Sequence, residues 1–391
     1  VADGKPIVLC ALDWVGIGNA GHDAFREALA QAAGTHPDRV AVHCLHQHDA
    51  PACDFSTEAL LVPHGLGGRM FDPKSARDTI QRLATAVRDS LQHRQPVTHL
   101  GLGVGRVRHV ASNRRILGAD GKVAIVRFSA SRKPEAQQAP EGVIDPDVRL
   151  LSLWNGDTPL ISITYYATHP QSYYGQGGVS ADFVGLARRL REQAVPHVQH
   201  IHFNGAGGNV AAGKYNDGSP ALRGVLAERL AAGMQAAWNT QQKSPLTTKD
   251  VAWQVRPVTL PVRNTLQRDA LQARLQDAKL NAKTRIRAAR DLAFLTRMQS
   301  GHRIPLACLS LGRARVLLMP GELFVEYQLA AQRLRPDLFV TMAAYGDYGP
   351  GYIGTQIAYA QGGYETGIVS RTAPNVERTL QNAIHEFLMD R

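Results

Sequence analysis

The chain has 391 residues, of which 44% are hydrophobic and 20% charged, a composition that supports a substantial core and excludes wholesale disorder. Its formal net charge of +11 would suit nucleic acid, an anionic lipid surface or an acidic substrate, or simply reflects solvated arginines on helix faces. No stretch contains the roughly 18 apolar residues that span a bilayer, and the lack of zinc-finger, helix-turn-helix and aromatic–basic RNA motifs argues against nucleic acid as a partner.

Short apolar runs bounded by Gly, Pro, Asn or Asp alternate with amphipathic segments, and this alternation predicts an α/β fold. Strands are expected over residues 7–12, 39–45, 99–107, 122–129, 148–154, 160–167, 197–203, 251–262, 307–319 and 338–344. Helices are expected over residues 72–93, 183–194, 221–238, 266–298 and 374–387. The first of these helices opens with Asp72-Pro73, an N-cap followed by a proline at the first helical position.

We expect one large domain over residues 1–391, in which layered mixed β-sheets are flanked by helices. The Lys/Arg/Ala-rich segment 264–300 is interpreted as a helical arm inserted in this domain. The four cysteines form no Cys-x-x-Cys pair. Buried free thiols are the simplest interpretation, and a bridge from Cys44 to Cys53 is the alternative.

Three histidines and an aspartate lie close together after the second predicted strand: His43, His46, His48 and Asp49. Side chains alternate along an extended chain, so His46 and His48 would point to the same side of the backbone. Imidazoles placed in this way can supply a metal ligand and a neighbouring acid or base. The alternative is an ordinary polar loop.

Four further segments carry chemically useful side chains near the ends of predicted strands. His169 follows a strand, where a lone histidine is often structural. The glycines of residues 204–213 could let backbone N–H groups bind an oxyanion or phosphate, without P-loop or dinucleotide spacing. Glu322 could be a ligand or simply an acid at a helix start, and the tract 345–365 is rich in glycine and tyrosine.

Taken in order, these five segments resemble the motifs of the neutral/alkaline, non-lysosomal ceramidases. The order is His-x-His-x-x-Pro, His-Pro, a phenylalanine shortly before Gly-Gly-Asn, Pro-Gly-Glu, and Tyr-Ile-Gly-Thr followed by Gln-Gly-Gly-Tyr-Glu. The similarity extends over nearly the whole chain. It implies a zinc-dependent hydrolase of the amidase type, active in lipid or sphingolipid metabolism and located in the periplasm or secreted.

The resemblance also implies the metal ligands. Zn²⁺ would be bound by His46, His169, Glu322 and Tyr352. Two nitrogens and oxygen ligands leave a position for water, which zinc would activate for attack on an amide or ester carbonyl.

Four further residues would act on the substrate by the same resemblance. His48 would polarise the carbonyl or carry a proton, and Tyr364 and Arg114 would contact the substrate. Asn209, with the backbone beside it, would help to stabilise the developing oxyanion.

Two features depart from the family. Its glycine-rich segment normally continues into a catalytic serine, and here Ala211 occupies that position. The chain also ends soon after its last predicted helix, which leaves no room for the immunoglobulin-like module of true ceramidases. The expected partner is a small-molecule or lipid-like substrate, ceramide or another amide or ester, with transient contact to a membrane surface. The alternative is a catalytically inactive zinc-containing homologue that binds a lipid or glycan.

Overall fold

The computed structural model describes residues 4–176 and 178–389. The strands are β1 Val8–Leu12, β2 Gly16–Ile17, β3 Val40–Cys44, β4 Ala52–Cys53, β5 His99–Arg106, β6 Ser112–Asn113, β7 Arg115–Leu117, β8 Val123–Val126, β9 Asp147–Asn155, β10 Thr158–Tyr166, β11 Gln199–Asn204, β12 Val210–Ala211, β13 Gln242–Pro245, β14 Val251–Val258, β15 Ile304–Leu311, β16 Ala314–Leu318, β17 Glu322–Leu323, β18 Phe339–Ala343 and β19 Tyr352–Ile353. The helices are α1 Ala20–Ala33, α2 Phe55–Leu61, α3 Pro73–Ser90, α4 Pro134–Gln138, α5 Asp182–Ala194, α6 Ala221–Thr240, α7 Arg268–Gln276, α8 Ala282–Gln299, α9 Val325–Leu334, α10 Gln356–Gln361 and α11 Val376–Met389.

Two mixed sheets form the centre of the fold. The larger has the strand order β11-β10-β9-β5-β13, in which β10 and β11 are parallel and the other pairs antiparallel. The smaller has the order β14-β15-β16-β18, in which β16 and β18 are parallel.

The period-two alternation of strand side chains explains how these sheets are layered. In β9, Leu151 belongs to a core shared by both sheets, whereas Leu150 packs in a core with α5 and α6. In β16, Val316 joins the shared core and Leu317 packs with α1 and α11. The result is two sheets covered on their outer faces by helices, which confirms the predicted α/β class of layered mixed sheets flanked by helices.

Two predicted elements are wrong in the same way, because each is really a pair. The helix predicted over 266–298 is the hairpin of α7 and α8, with a break where the Asn281 side chain accepts a hydrogen bond from the N–H of Thr284 and so starts a new helix. The strand predicted over 307–319 is the antiparallel hairpin of β15 and β16, whose turn contains Gly312 at φ 52°.

The helical arm packs firmly against the rest of the domain. Leu271 and Leu275 of α7 join Leu292 and Leu295 of α8 in one buried cluster with Leu61 of α2. All four cysteines are free, so the alternative of a bridge between Cys44 and Cys53 is wrong. Within the described residues, no helix has the length and apolar character required to cross a membrane.

Hydrogen bonds gather the carboxyl ends of four strands at one edge of the sheets. The N–H of Cys44 donates to the Tyr345 carbonyl after β18, and the N–H of Ala344 donates to the Asn204 carbonyl of β11. The N–H of Gly205 donates to the Tyr166 carbonyl at the end of β10. The carboxyl ends of parallel strands are where open α/β sheets bind ligands, and the predicted site residues follow these strands.

Candidate metal centre

A buried group of three side chains lies at this edge. The potential ligand atoms of His46, His169 and Glu322 all lie within 4.8 Å of one another. Glu322 Oε2 is 3.0 Å from His169 Nε2 and 3.3 Å from His46 Nε2. Ligands of a tetrahedral zinc ion at about 2.1 Å are separated by about 3.4 Å, so the group has the dimensions of a metal site.

Both imidazoles are oriented by backbone carbonyls. His46 Nδ1 lies 2.5 Å from the Val15 carbonyl oxygen, and His169 Nδ1 lies 2.7 Å from that of Gly207. A carbonyl accepts only a proton, so each Nδ1–H donates and each Nε2 keeps its lone pair towards Glu322. Two neutral imidazoles with one carboxylate are a donor set that catalytic zinc sites use, and the residues present therefore fit zinc.

The electrostatics favour the protonation states that a metal needs. Burial opposes ionisation of Glu322, but the imidazoles of His46 and His169 outweigh it, and the pKa of Glu322 lies well below its usual value. Burial is the main reason that the pKa of His169 is lowered. The group is thus set up as a carboxylate beside a neutral imidazole.

Strand pairing places the fourth predicted ligand beside the third. Glu322 and Tyr352 are directly opposite each other in the parallel pair of β17 and β19. The Tyr352 hydroxyl lies 3.1 Å from His169 Nε2 and accepts a hydrogen bond from Arg114 Nη1 at 2.9 Å. Burial raises the pKa of Tyr352 well above its usual value, and the guanidinium of Arg114 opposes that shift.

The glycine-rich loop after β11 lets two backbone segments approach closely. A Cβ atom on Gly208 would lie 2.2 Å from the Glu322 carbonyl oxygen, and one on Gly207 would lie 2.9 Å from the Thr168 backbone. The N–H of Gly208 is also occupied, because it donates to the Leu323 carbonyl. The loop therefore draws Glu322 towards His169, a packing role that differs from the expected oxyanion contact.

The side chain of Asn209 has structural partners. Its Oδ1 accepts a hydrogen bond from the N–H of Val325, and its Nδ2 donates to the carboxylate of Glu326 at 2.8 Å. Both partners lie in the first turn of α9. The structure thus places the Asn209 amide at the start of this helix, just after Glu322, with its hydrogen bonds directed away from a substrate role.

His48 lies beside the metal group, although not for the predicted reason. His46 has φ 71°, a left-handed conformation that is costly for a non-glycine residue and concentrates at functional sites. The chain is therefore not extended there, and strand alternation does not apply. The turn nevertheless places His48 Nε2 3.3 Å from His46 Nε2. His48 is exposed, so solvent reaches the group from its side.

Tyr364 and Arg114 occupy different depths. Tyr364 is 39% exposed, and its ring centroid lies 5.8 Å from that of Tyr352, which places it at the mouth of the site. Arg114 is buried behind Tyr352 and forms an ion pair of 3.2 Å with the buried Glu365. Arg114 thus supports Tyr352 directly.

Three site residues were not predicted as such: Tyr345, Tyr348 and Glu365. Tyr345 stacks on His46 with ring centroids 4.9 Å apart. The Tyr348 hydroxyl donates to Glu322 Oε1 at 2.6 Å. All three lie in the glycine- and tyrosine-rich tract, whose composition was the available signal, but which phenol meets Glu322 depends on the tertiary path of that tract.

The position of the missing serine is filled by a short strand. Ala211 pairs with Ser112 between β12 and β6 and is fully buried. The Ser112 hydroxyl donates to the Ala211 carbonyl at 2.8 Å and accepts from the N–H of Lys214. This neighbouring hydroxyl is therefore already engaged in holding the backbone.

Comparison of the whole fold identifies its class. No protein-family model matches the sequence, and no curated protein sequence matches it either. Among solved structures, the chain matches neutral ceramidase from Pseudomonas aeruginosa with a TM-score of 0.64 and 16% identity, over 99% of this chain and 66% of that one. It also matches a ceramidase complexed with C2 with a TM-score of 0.65 and 15% identity, over 99% and 68% of the two chains.

The fold is therefore that of the neutral ceramidases, and the predicted resemblance is confirmed at this level. This chain spans about two thirds of the length of the ceramidase structures it matches. Identity near 15% leaves the activity to be argued from the site.

Proposed function

We propose that this chain is a zinc-dependent hydrolase of amide or ester bonds. The observation that carries the proposal is the buried His46–His169–Glu322 group at the carboxyl ends of the strands, with Tyr352 on its edge. We propose these four residues as the zinc ligands. The ceramidase fold around them supports the assignment to a hydrolase.

When bound, zinc supplies Lewis acidity that makes water a competent nucleophile near neutral pH. Hydrolysis of an amide consumes one water. A C–O bond forms at the carbonyl carbon, the C–N bond breaks, and the leaving nitrogen takes a proton. His48 is the proposed carrier of this proton at Nε2, because it lies next to His46 and is open to solvent.

The remaining predicted residues divide between the substrate and the metal group. The Tyr364 hydroxyl, at the mouth, is the proposed donor to the carbonyl oxygen as negative charge develops there. Arg114 is proposed to hold Tyr352, and Asn209 to hold the start of α9 close to Glu322. These two roles are positional.

Direct hydrolysis suits a site without a serine nucleophile. Ala211 offers no hydroxyl, and the hydroxyl of Ser112 is used in backbone contacts. The attack is therefore assigned to water. A lipid-like substrate, transient contact with a membrane surface and a location outside the cytoplasm remain predictions from the resemblance.

Metal analysis tests the ligand assignment. His169→Ala and Glu322→Ala should each lose most of the zinc found in the wild-type protein, because each removes one donor of a compact set. His385→Ala, an exposed histidine on α11, is the matched control and should retain zinc. Stoichiometric zinc in both ligand variants would overturn the assignment.

A second candidate function is a zinc-containing binding protein without turnover. Ala211 at the serine position is the observation that favours it. A panel of amides and esters, assayed with and without chelator, separates the two functions. Chelator-sensitive turnover supports the hydrolase, and bound zinc without turnover across the panel supports the binding protein.

A further inference from the structure

A cavity adjoins the metal group on the side of His48. Its volume is about 240 Å³, and its lining includes His48 and Tyr348 together with Arg290 and Arg371. Tyr348 donates to Glu322, so the cavity is separated from the metal group by one tyrosine ring. A molecule whose reacting carbonyl lies at His48 would extend part of itself into this space.

The cations of the cavity differ in whether they already have partners. Arg371 is neutralised by Asp291 at 2.7 Å and also donates to the Gly349 carbonyl at 3.1 Å. Arg290 has neither a hydrogen bond nor an ion pair with any residue in 4–176 or 178–389, and its guanidinium carbon lies 5.7 Å from the centroid of the Tyr348 ring. Arg290 is half-buried, where an unpaired charge gains most from a partner.

One carboxylate also lines the cavity, and its hydrogen bonds are taken. Asp54 accepts from Asn19 Nδ2 and from both the N–H and the hydroxyl of Thr57. Within the described chain, it forms no ion pair with Arg290. The guanidinium of Arg290 is thus available to a ligand in the cavity.

The same face of α8 carries further positive charge. Arg287 precedes Arg290 by three residues, and side chains at this spacing share one helix face. Arg287 and Lys283 line a neighbouring cavity of about 620 Å³. The arm therefore presents a cationic face beside the mouth of the site.

We propose that the substrate is an amide whose smaller half carries an anionic group, a carboxylate or a phosphate, and that Arg290 binds this group. The inference rests on the proposed hydrolytic function. The forked donors of a guanidinium match both anions. A cavity of about 240 Å³ is smaller than the roughly 300–1,000 Å³ of sites for drug-sized ligands, so it suits a small head group and not an acyl chain.

Hydrolysis of matched amides tests the proposal with the zinc-loaded protein. The probes are N-dodecanoylglycine, N-dodecanoyl-O-phosphoethanolamine and the neutral N-dodecanoylethanolamine, which separate carboxylate, phosphate and uncharged head groups. The wild type should show a kcat/KM about tenfold to a hundredfold higher for at least one anionic amide than for the neutral one. Arg290→Gln should bring this ratio close to one, Arg290→Lys should restore part of it, and Arg88→Gln, on exposed α3 surface, should leave the ratio unchanged.

Binding of N-acetylglycine, inorganic phosphate and neutral N-acetylethanolamine, measured by calorimetry, gives a readout that needs no turnover. Weaker binding of an anion in Arg290→Gln, but not in Arg88→Gln, supports the anion site even if no amide is hydrolysed, in which case only the proposed hydrolytic function fails. Hydrolysis of all three amides at equal kcat/KM, or an anion preference that persists in Arg290→Gln, overturns the proposal and leaves the hydrolase intact. Zinc content and circular dichroism of each variant verify that it is folded.

Discussion

The hydrogen bond from Tyr348 to Glu322 offers a sharp test of how the metal group is built. Tyr348→Phe removes one hydroxyl and leaves the ring that packs against His46. The lost hydrogen bond, of 2.6 Å to a buried carboxylate, is of a kind that contributes about 1.5–3 kcal/mol. This free energy corresponds to a zinc dissociation constant about tenfold to a hundredfold higher, the range seen when partners of metal ligands are removed.

The assay is competition for zinc between the protein and a chromophoric chelator. Tyr359→Phe is the matched control, because the Tyr359 hydroxyl bonds to Ser370 and Thr372 and has no contact with Glu322. We expect the control to bind zinc as the wild type does. Equal zinc affinity in Tyr348→Phe and wild type would refute the reasoning, since it would show that Glu322 does not depend on this donor.

Three other predictions concern the proton carrier, a buried ion pair and acid stability. His48→Ala should keep its zinc by metal analysis while kcat falls by about a hundredfold or more; loss of zinc would make His48 a ligand instead. Glu365→Gln removes the buried partner of two arginines and should lower the free energy of unfolding in urea by about 3–5 kcal/mol, whereas Glu386→Gln, at an exposed ion pair, should change it by less than about 1 kcal/mol. Burial, aided by Arg188, lowers the pKa of His202 from 6.5 to about 3, so the unfolded chain binds a proton that the folded chain excludes. Stability is then full above pH 6.5 and falls towards pH 3 by about 1.4 kcal/mol per pH unit for this residue; an unchanged slope in His202→Gln would contradict this account.

Much of the fold can be predicted from the sequence, because buried strands have a clear composition. β3, β10 and β18 are runs of apolar residues bounded by polar or turn residues, and each lies within two residues of its predicted bounds. The two failures came from weak punctuation. A single Gly312 turns an apolar run into two strands, and Asn281 starts a new helix inside a pattern that is otherwise continuous.

The site was predictable as a set of residues and not as a geometry. The grouping of His46, His169 and Glu322 followed from the order of the motifs, and their buried convergence agrees with it. The left-handed turn at His46 and the pairing of Glu322 with Tyr352 are tertiary features that no local pattern encodes. The same holds for Arg290, which the charged arm carries to the cavity beside His48.

Zinc titration of amide hydrolysis tests the central claim most directly. The metal-free protein, prepared with chelator, is titrated with zinc while hydrolysis of an amide substrate is followed. The account predicts no turnover without metal and a rise in rate that reaches its plateau at about one zinc per chain. Full turnover in the metal-free protein, or a rise of equal size at one zinc per chain in Glu322→Ala, would contradict it.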